Sequence, residues 1–153
     1  MRGHNETILG IGVDNVKIAR FEGMAPSLRV YTPTERAYLS KKSHASAAGI
    51  FAAKEAVVKA MGTGFMGFWP NQVEIVHDAL GKPGVLLHGE AARVADKLVQ
   101  GETAHKPNRG RARRTHGLWQ RGRRYRHGYS IFLSISHTSD EAVAFVVIQL
   151  SQR

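Results

Sequence analysis

The fold is decided by one stretch, Gly49-Ile-Phe-Ala-Ala-Lys-Glu-Ala-Val-Val-Lys-Ala-Met-Gly-Thr-Gly64. Its alanines favour a helix, and the closing Gly-Thr-Gly ends that helix and begins a turn. Glu55 and Lys59 lie four residues apart, so their side chains project from the same side of the helix. The apolar surface of the helix comes from Ile50, Val57, Val58 and Met61.

Two other blocks change how the Glu55–Lys59 pair is interpreted. On its own, an exposed pair on an amphipathic helix contributes roughly 0.3–0.5 kcal/mol and has no further role. The chain also contains Gly10-Ile-Gly-Val-Asp14 near its start and Leu133-Ser-Ile-Ser-His137 near its end. Together the three blocks favour a functional role for the helix.

Asp14 follows a short apolar segment, residues 7–13, that is typical of a buried strand. It precedes a segment that we predict to be helical, residues 16–22. A carboxylate at this junction has two explanations: it caps the helix by accepting a backbone N–H, or it points into a cleft and holds a cation. From Asp14 alone, the cap is the favoured interpretation.

Composition indicates a single globular domain spanning residues 1–153. Hydrophobic residues make up 42% of the chain and charged residues 22%, which is enough apolar material to bury a core. The absence of cysteine excludes disulfides, zinc–thiolate sites and cysteine nucleophiles. The apolar run at residues 142–148 is too short to span a membrane, and the first six residues lack the apolar core of a signal peptide. We therefore expect a cytoplasmic protein.

The net charge of +10 is concentrated in one segment. Residues 101–128 carry eight Arg and one Lys against a single Glu, which leaves a charge of only +2 for the rest of the chain. Segment 101–129 has no hydrophobic period, so we expect a basic, flexible insert. Its interleaved Trp119, Tyr125 and Tyr129 also allow an alternative function, a basic RNA-associating protein. A solvated insertion without function and an error in the sequence are the other interpretations.

The remaining segments predict an α+β fold with a mainly antiparallel sheet packed against helices. Thr32-Pro-Thr-Glu35 matches a capping box, with lysines at the predicted end of its helix complementing the helix dipole or contacting phosphate. Residues 65–70 form an aromatic loop that suits either a ligand, a partner subunit or the edge of the core. The other predicted elements are a hairpin at residues 72–88, a helix at 89–99, strands at 130–135 and 142–150, and a turn at 136–141.

Four blocks, in this order, resemble the holo-acyl-carrier-protein synthases, the small type of 4′-phosphopantetheinyl transferase. They are Gly10-Ile-Gly-Val-Asp14, Phe51-Ala-Ala-Lys-Glu55 with Lys59 and Gly62-Thr-Gly64, Gly81-Lys-Pro83, and Ser134-Ile-Ser-His137. The resemblance covers residues 8–149 except for the insert. It implies transfer of 4′-phosphopantetheine from coenzyme A to a serine of acyl carrier protein, with magnesium and with release of 3′,5′-ADP. It also implies a homotrimer with active sites between neighbouring subunits.

The resemblance assigns the chemistry to four residues. Asp14 and Glu55 are implied as magnesium ligands, and magnesium does prefer one or two carboxylates completed by water and phosphate. Glu55 is also implied to accept the serine proton, and Lys59 to neutralise phosphate and assist the departing 3′,5′-ADP. His137 is implied to donate to a phosphate oxygen, although alone it would be interpreted as a turn histidine held by neighbouring serines.

The remaining assignments concern binding. Coenzyme A contacts are implied for Lys41, Lys42, Lys59, Gly62, Thr63, Gly64, Lys82, Pro83, Ser136 and His137. Contacts with the acidic acyl carrier protein are implied for Arg20, Arg29 and Phe51. One position departs from the family: many relatives carry a basic residue where this chain has Ile50, so one cationic contact is missing or is supplied elsewhere.

Overall fold

The structure is a computed structural model that describes residues 7–101 and 128–150. Its α+β class confirms the prediction. In these two ranges the chain forms β1 (Ile8–Lys17), α1 (Pro33–Leu39), α2 (His44–Met61), β2 (Val73–His77), β3 (Pro83–Leu87), α3 (Gly89–Val99), β4 (Tyr129–His137) and β5 (Glu141–Leu150). Two single 3₁₀ turns lie at Ile18–Phe21 and Pro70–Gln72. Most of the basic insert, residues 102–127, lies outside the described residues, so its predicted flexibility and RNA binding stay predictions.

The described strands form two antiparallel sheets. The larger has three strands in the order β1-β5-β4, so the last strand of the chain lies at its centre, and the smaller is the β2-β3 hairpin. Alternate residues of β5 face α2 and are buried: Ala142, Ala144, Val146 and Ile148. The opposite face of the same sheet leaves large apolar side chains exposed: Ile11, Val13, Phe132, Val143 and Phe145.

Two glycines allow α2 to lie directly on β1. A Cβ added at Gly10 would lie 1.9 Å from the carbonyl oxygen of Ala60, and one at Gly12 would lie 2.0 Å from that of Ala56. No side chain fits at either distance, so the strand needs glycine and the facing helix positions are alanine. The rest of α2 packs as predicted, because Ile50, Val57, Val58 and Met61 are all buried.

The cap predicted for Asp14 is wrong. β1 does not end at residue 13 but continues through Asp14, which pairs with Ala144, to Lys17. The predicted helix at residues 16–22 is reduced to one 3₁₀ turn that begins at Ile18. The reason is the long partner strand: β5, from the far end of the chain, supplies backbone partners along β1, and this long-range pairing overrides the helical pattern of the sequence.

Three other boundaries also differ. The capping box at Thr32 and Glu35 forms as predicted, but α1 ends at Leu39, so Lys41 and Lys42 lie beyond the helix in a turn. α2 begins five residues before Gly49, at His44. β4 continues to its last residue opposite Ala142, so the turn predicted to begin at residue 136 begins two residues later. The hairpin and the bounds of α3 agree with the sequence prediction.

Replacing Gly12 by Ala tests the close approach of α2 to β1. The added methyl group would meet the Ala56 carbonyl at 2.0 Å, so the backbone has to move. We expect Gly12→Ala to lower the free energy of unfolding by about 3 kcal/mol or more, at the upper end of overpacking effects. Urea unfolding followed by circular dichroism measures the loss.

Gly84→Ala is the matched control. It is also a strand glycine, but its added Cβ would lie 3.4 Å from Val76 Cγ2, an ordinary contact. Its free energy of unfolding should stay within about 1 kcal/mol of the unsubstituted protein. Equal losses in both variants would contradict the argument.

Candidate active site

One ion pair joins β1 to α2. Lys59 Nζ lies 2.6 Å from Asp14 Oδ1 and donates a second hydrogen bond to the carbonyl oxygen of Val13 at 3.2 Å. The geometry follows from the fold, since α2 runs antiparallel to β1 and helix side chains tilt toward the helix N-terminus. Lys59 therefore reaches back along α2 to Asp14, which lies two residues past Gly12. The spacing in the sequence suggests that Lys59 pairs with Glu55. In the structure it pairs instead with Asp14, which is 45 residues away in the chain.

Glu55 lies in the electrostatic field of the same pair. Partial burial raises the pKa of the Glu55 carboxyl above its usual value, and the negative charge of Asp14 raises it further. The positive charges of Lys59 and Arg20 act in the opposite direction. Two carboxylates and two cations from β1, the 3₁₀ turn and α2 thus form one cluster, which we call the Asp14–Glu55 site.

The donor set of this site fits magnesium. Asp14 and Glu55 offer hard carboxylate oxygens, and magnesium takes one or two such ligands and fills its octahedron with water and substrate phosphate. In the part of the chain that the structure describes, no group of three or more His, Cys, Asp or Glu residues could hold a metal. An ion held by Asp14 and Glu55 would take its other ligands from water or from a substrate phosphate. The ammonium of Lys59, 2.6 Å from Asp14, already marks a position that a cation can take.

A largely apolar cavity of about 470 Å³ opens beside the site. Its apolar lining residues include Phe21, Leu39 and Phe51, and its charged or titratable ones are Arg20, Tyr31, Lys42 and His44. The Arg20 guanidinium lies 5.8 Å from the centre of the Phe51 ring. Arg20 lines this cavity, and its positive charge also acts to lower the pKa of Glu55. Arg20 therefore links the cavity to the Asp14–Glu55 site. Ile50 is buried and contributes no polar group, so Arg20 and Lys42 are the cations on this side.

The lysines assigned to coenzyme A occupy different surroundings. Lys42 lines the cavity and lies 5.0 Å from the Tyr38 ring, which in turn stacks on His77 at 4.4 Å. Lys41 is exposed in the same turn. The structure therefore brings Lys42 together with Arg20 and Phe51, although the resemblance assigns these residues to two different ligands.

Arg29 lies apart from that cavity. Its guanidinium stacks on the exposed ring of Trp69 at 5.2 Å, and the carbonyl oxygen of Arg29 accepts a hydrogen bond from the backbone N–H of Asn71 at 3.3 Å. Asn71 Nδ2 also donates to the carbonyl oxygen of Leu28 at 2.8 Å. The aromatic loop is thereby tied to the connector that carries Arg29, which is a link that the sequence did not reveal.

Gly62, Thr63 and Gly64 follow Lys59 at the end of α2. Gly62 has φ +73° and Gly64 has φ +58°, a region that favours glycine. The N–H groups of Gly62 and Thr63 close the helix on the carbonyls of Lys59 and Val58. No atom within 4 Å would obstruct a Cβ at either glycine, so this backbone is open to the approach of a ligand.

His137 and Ser136 do not contact Asp14 within the described part of one chain. β5 lies between β4 and β1, so His137 is two strands away from Asp14, on the same face of the sheet. Ser136 points to the opposite face. The interpretation of His137 as a turn histidine held by serines is wrong, because it is the last residue of β4 and its Nδ1 lies 3.1 Å from the carbonyl oxygen of Thr138. Pro83 begins β3 of the separate hairpin sheet, and Lys82 lies just before it in the connection from β2.

Lys54 belongs to the Phe51–Glu55 block, but the resemblance assigns it no role. It is fully buried in the middle of α2 and forms an ion pair with Glu35 at 2.8 Å. A lysine within an alanine-rich helix was the only signal in the sequence, and its partner lies 19 residues away.

As to membranes, none of the helices in the described ranges combines the length and apolarity needed for a span.

Replacing Lys59 by Met tests the charge coupling in the site. The substitution removes a positive charge that favours the ionised form of Glu55, so the pKa of Glu55 should rise further. NMR titration of the Glu55 side-chain carboxyl in the metal-free protein measures the change. Lys97→Met on α3 is the control and should leave that titration unchanged; a Glu55 pKa that stays or falls in Lys59→Met contradicts the coupling.

The comparison with known proteins agrees with this site. Residues 10–116 match the model of the 4′-phosphopantetheinyl transferase superfamily. The holo-[acyl-carrier-protein] synthase of Clostridium perfringens is 33% identical over 93% of this chain and 94% of its own length, and that of Geotalea daltonii is 38% identical over 93% and 98%. The Bacillus anthracis holo-(acyl-carrier-protein) synthase in complex with CoA (3′,5′-ADP) superposes with a TM-score of 0.63 at 27% identity, covering 94% of this chain and 98% of that one. The chain therefore belongs to the 4′-phosphopantetheinyl transferase superfamily of enzymes and, within it, to the holo-[acyl-carrier-protein] synthases.

Proposed function

We propose that the protein transfers 4′-phosphopantetheine from coenzyme A to a serine of apo-acyl carrier protein, with release of 3′,5′-ADP and a requirement for Mg²⁺. The observation that carries the proposal is the convergence of Asp14, Glu55 and Lys59 between β1 and α2. The complex of the Bacillus anthracis relative with CoA (3′,5′-ADP) supports coenzyme A as the substrate.

Asp14 and Glu55 are the residues proposed to hold the magnesium ion, each through carboxylate oxygens. When bound, the ion supplies positive charge that offsets the charge on the coenzyme A pyrophosphate as its phosphoanhydride bond breaks. Asp14 is well suited to this role because its side chain is only 14% exposed and already carries a cationic partner.

Glu55 is proposed to accept the proton of the attacking serine, directly or through one water. A carboxylate works best as a base when its pKa approaches the working pH, and partial burial together with Asp14 raises the pKa of Glu55 in that direction. The serine oxygen forms a bond to the β-phosphorus of coenzyme A, and the electron pair of the broken anhydride bond leaves with 3′,5′-ADP.

Lys59 and His137 are proposed to contact the phosphates. The Lys59 side chain is 52% exposed on a flexible stem, so its ammonium can turn from Asp14 to a phosphate oxygen and neutralise the departing 3′,5′-ADP. His137 is proposed to donate to a phosphate oxygen, with Ser136 beside it. The other proposed coenzyme A contacts are Lys41, Lys42, Gly62, Thr63, Gly64, Lys82 and Pro83.

Arg20, Arg29 and Phe51 are proposed to bind the acyl carrier protein. Such carriers are acidic, and arginines on the docking face speed encounter with an acidic partner. Both arginines lie against aromatic rings, which positions the guanidinium groups without neutralising them. Arg20 is also close enough to Glu55 for its charge to act on the Glu55 carboxyl. A carrier held by Arg20 would therefore present its serine near the proposed base.

A homotrimer is proposed as the working form. The exposed face of the three-stranded sheet carries Ile11 at 63% exposure and Phe145 at 48%, together with Val13, Phe132 and Val143. A contiguous apolar face of this kind is typical of a protein–protein interface. A neighbouring copy would also explain why Ser136 and His137 are remote from Asp14 in one chain, since residues from two subunits would complete each site.

The transferase prediction is tested on an apo-acyl carrier protein. The unsubstituted protein should add one phosphopantetheine group to a carrier serine, as measured by mass spectrometry, and should stop when magnesium is removed with a chelator. The Asp14→Asn, Glu55→Gln double variant should lose at least about 100-fold in rate, because the proposed ion site and base are both removed.

Glu90→Gln, which neutralises a carboxylate on α3, is the control and should retain the full rate. A double variant that transfers as fast as the unsubstituted protein would refute the roles of Asp14 and Glu55. Deleting residues 102–127 should spare the transfer. Loss of salt-sensitive RNA binding on that deletion, in a protein without transferase activity, would instead favour the RNA-associating alternative.

The trimer prediction is tested by placing a charge at the centre of the exposed sheet face. Phe145→Lys should convert the trimer to a monomer in analytical ultracentrifugation and should lower the transfer rate, since the site would lose residues from the neighbouring copy. Leu80→Lys, at the 95% exposed tip of the hairpin, is the control. An unsubstituted protein that is monomeric and active would contradict the proposal.

A further inference from the structure

Lys54 is the most deeply buried charged side chain beside the proposed active site. It precedes Glu55 in α2, and its ammonium donates three hydrogen bonds: to Glu35 Oε2 at 2.8 Å, to the carbonyl oxygen of Pro70 at 3.2 Å and to that of Val73. Every N–H of the ammonium therefore has an acceptor. Two of the three acceptors are backbone carbonyls at the end of the loop that follows α2.

Besides the Lys54 ammonium, the Glu35 carboxylate binds backbone N–H groups of two other segments. Its Oε2 also accepts the backbone N–H of Thr32 at 2.7 Å, and its Oε1 accepts that of Ile75 at 2.7 Å. The Lys54–Glu35 pair thus fixes the start of α1, the middle of α2 and the start of β2 by hydrogen bonds to named backbone groups. We call these contacts the Lys54 network.

Stability alone does not account for the Lys54 network. Desolvation lowers the pKa of Lys54, and the attraction of Glu35 only opposes that effect. Replacing a buried ion pair by apolar residues is often neutral or stabilising, so such a pair is weak support for a purely stabilising role. Apolar residues, however, form no directional hydrogen bonds, so they cannot hold particular carbonyl and N–H groups in place as Lys54 and Glu35 do.

The segments held by the Lys54 network carry the residues proposed to bind coenzyme A. The loop at residues 62–72 leaves α2 at Gly62, one turn after Lys59, and Lys54 anchors its other end at Pro70. α1, held through Glu35, leads directly into the turn that carries Lys42. The backbone at Gly62 and the ammonium of Lys42 can keep a fixed position relative to Glu55 only if both segments stay attached to α2.

We propose that Lys54 is a positioning residue: by donating to the carbonyls of Pro70 and Val73 it holds the loop at residues 62–72 on α2 and so shapes the coenzyme A site. This inference rests on the proposed function for its ligand. Lys54 touches no substrate and acts through the backbone of the loop. A displacement of about 1 Å in such a site can lower the rate by about 100-fold.

The experiment compares Lys54→Met with Glu35→Gln. Lys54→Met removes all three hydrogen bonds, whereas Glu35→Gln breaks the ion pair but leaves the Lys54 N–H groups on Pro70 and Val73. The affinity for coenzyme A is measured by calorimetry on the full-length protein in its own oligomeric state. KM and kcat are measured separately for coenzyme A and for the carrier protein. Ala95→Gly on α3 controls for a general loss of stability.

The expected result is specific for Lys54. Lys54→Met should weaken coenzyme A binding and raise KM for coenzyme A by about tenfold or more, with KM for the carrier unchanged. Ala95→Gly should change coenzyme A binding by less than about threefold. Glu35→Gln loosens α1 but leaves the loop attached to Lys54, so it should weaken coenzyme A binding less than Lys54→Met does. If Lys54→Met does not fold, Lys54→Gln replaces it, since its amide can donate to one of the two carbonyls and should give an intermediate loss.

Hydrogen exchange separates this inference from the proposed function. In the ligand-free protein, Lys54→Met should speed exchange of the amides of Asn71, Gln72 and Ile75 but not of those in β5. Unchanged exchange and unchanged coenzyme A affinity in a folded Lys54→Met would overturn the positioning role. A lack of transfer and of coenzyme A binding in the unsubstituted protein would overturn the proposed function, and the exchange result would then still decide whether Lys54 holds the loop.

Discussion

The rest of the structure depends on the direct contact between the backbone of α2 and that of β1. Gly10 and Gly12 leave no room for a side chain against the carbonyls of Ala60 and Ala56, so the helix and the strand are as close as their main chains allow. This closeness is what lets Lys59 reach Asp14 across the interface. A side chain between the two elements would separate the charges that make up the Asp14–Glu55 site.

The site combines like and opposite charges in a way that needs both elements. Glu55 is disfavoured as a charged group by its burial and by Asp14, and Lys59 and Arg20 only partly offset this. An added divalent cation would relieve the repulsion between the two carboxylates, and an added phosphate would meet two cations. This arrangement of charges agrees with the proposed function, in which a metal ion and a pyrophosphate would bind together.

Local patterns in the sequence predicted local structure well. The capping box at Thr32, the bounds of α3 and the apolar face of α2 each depend on residues a few positions apart, and each is found as predicted. The errors fall where a distant strand intervenes. From its position alone Asp14 is predicted to cap a helix, and residues 136–141 are predicted to form a turn, because the sequence does not reveal that β5 pairs with both strands along their length.

By itself, the sequence determined the family, the α+β class and the helix that carries Glu55 and Lys59. Only the tertiary structure decided which charges meet: Lys59 pairs with Asp14 rather than with Glu55, and Lys54 pairs with Glu35 in the interior. The physical reason is that helix and strand periods are set by neighbouring residues. The partner of a charged side chain is set instead by which backbones pack together, and that contact joins residues far apart in the chain.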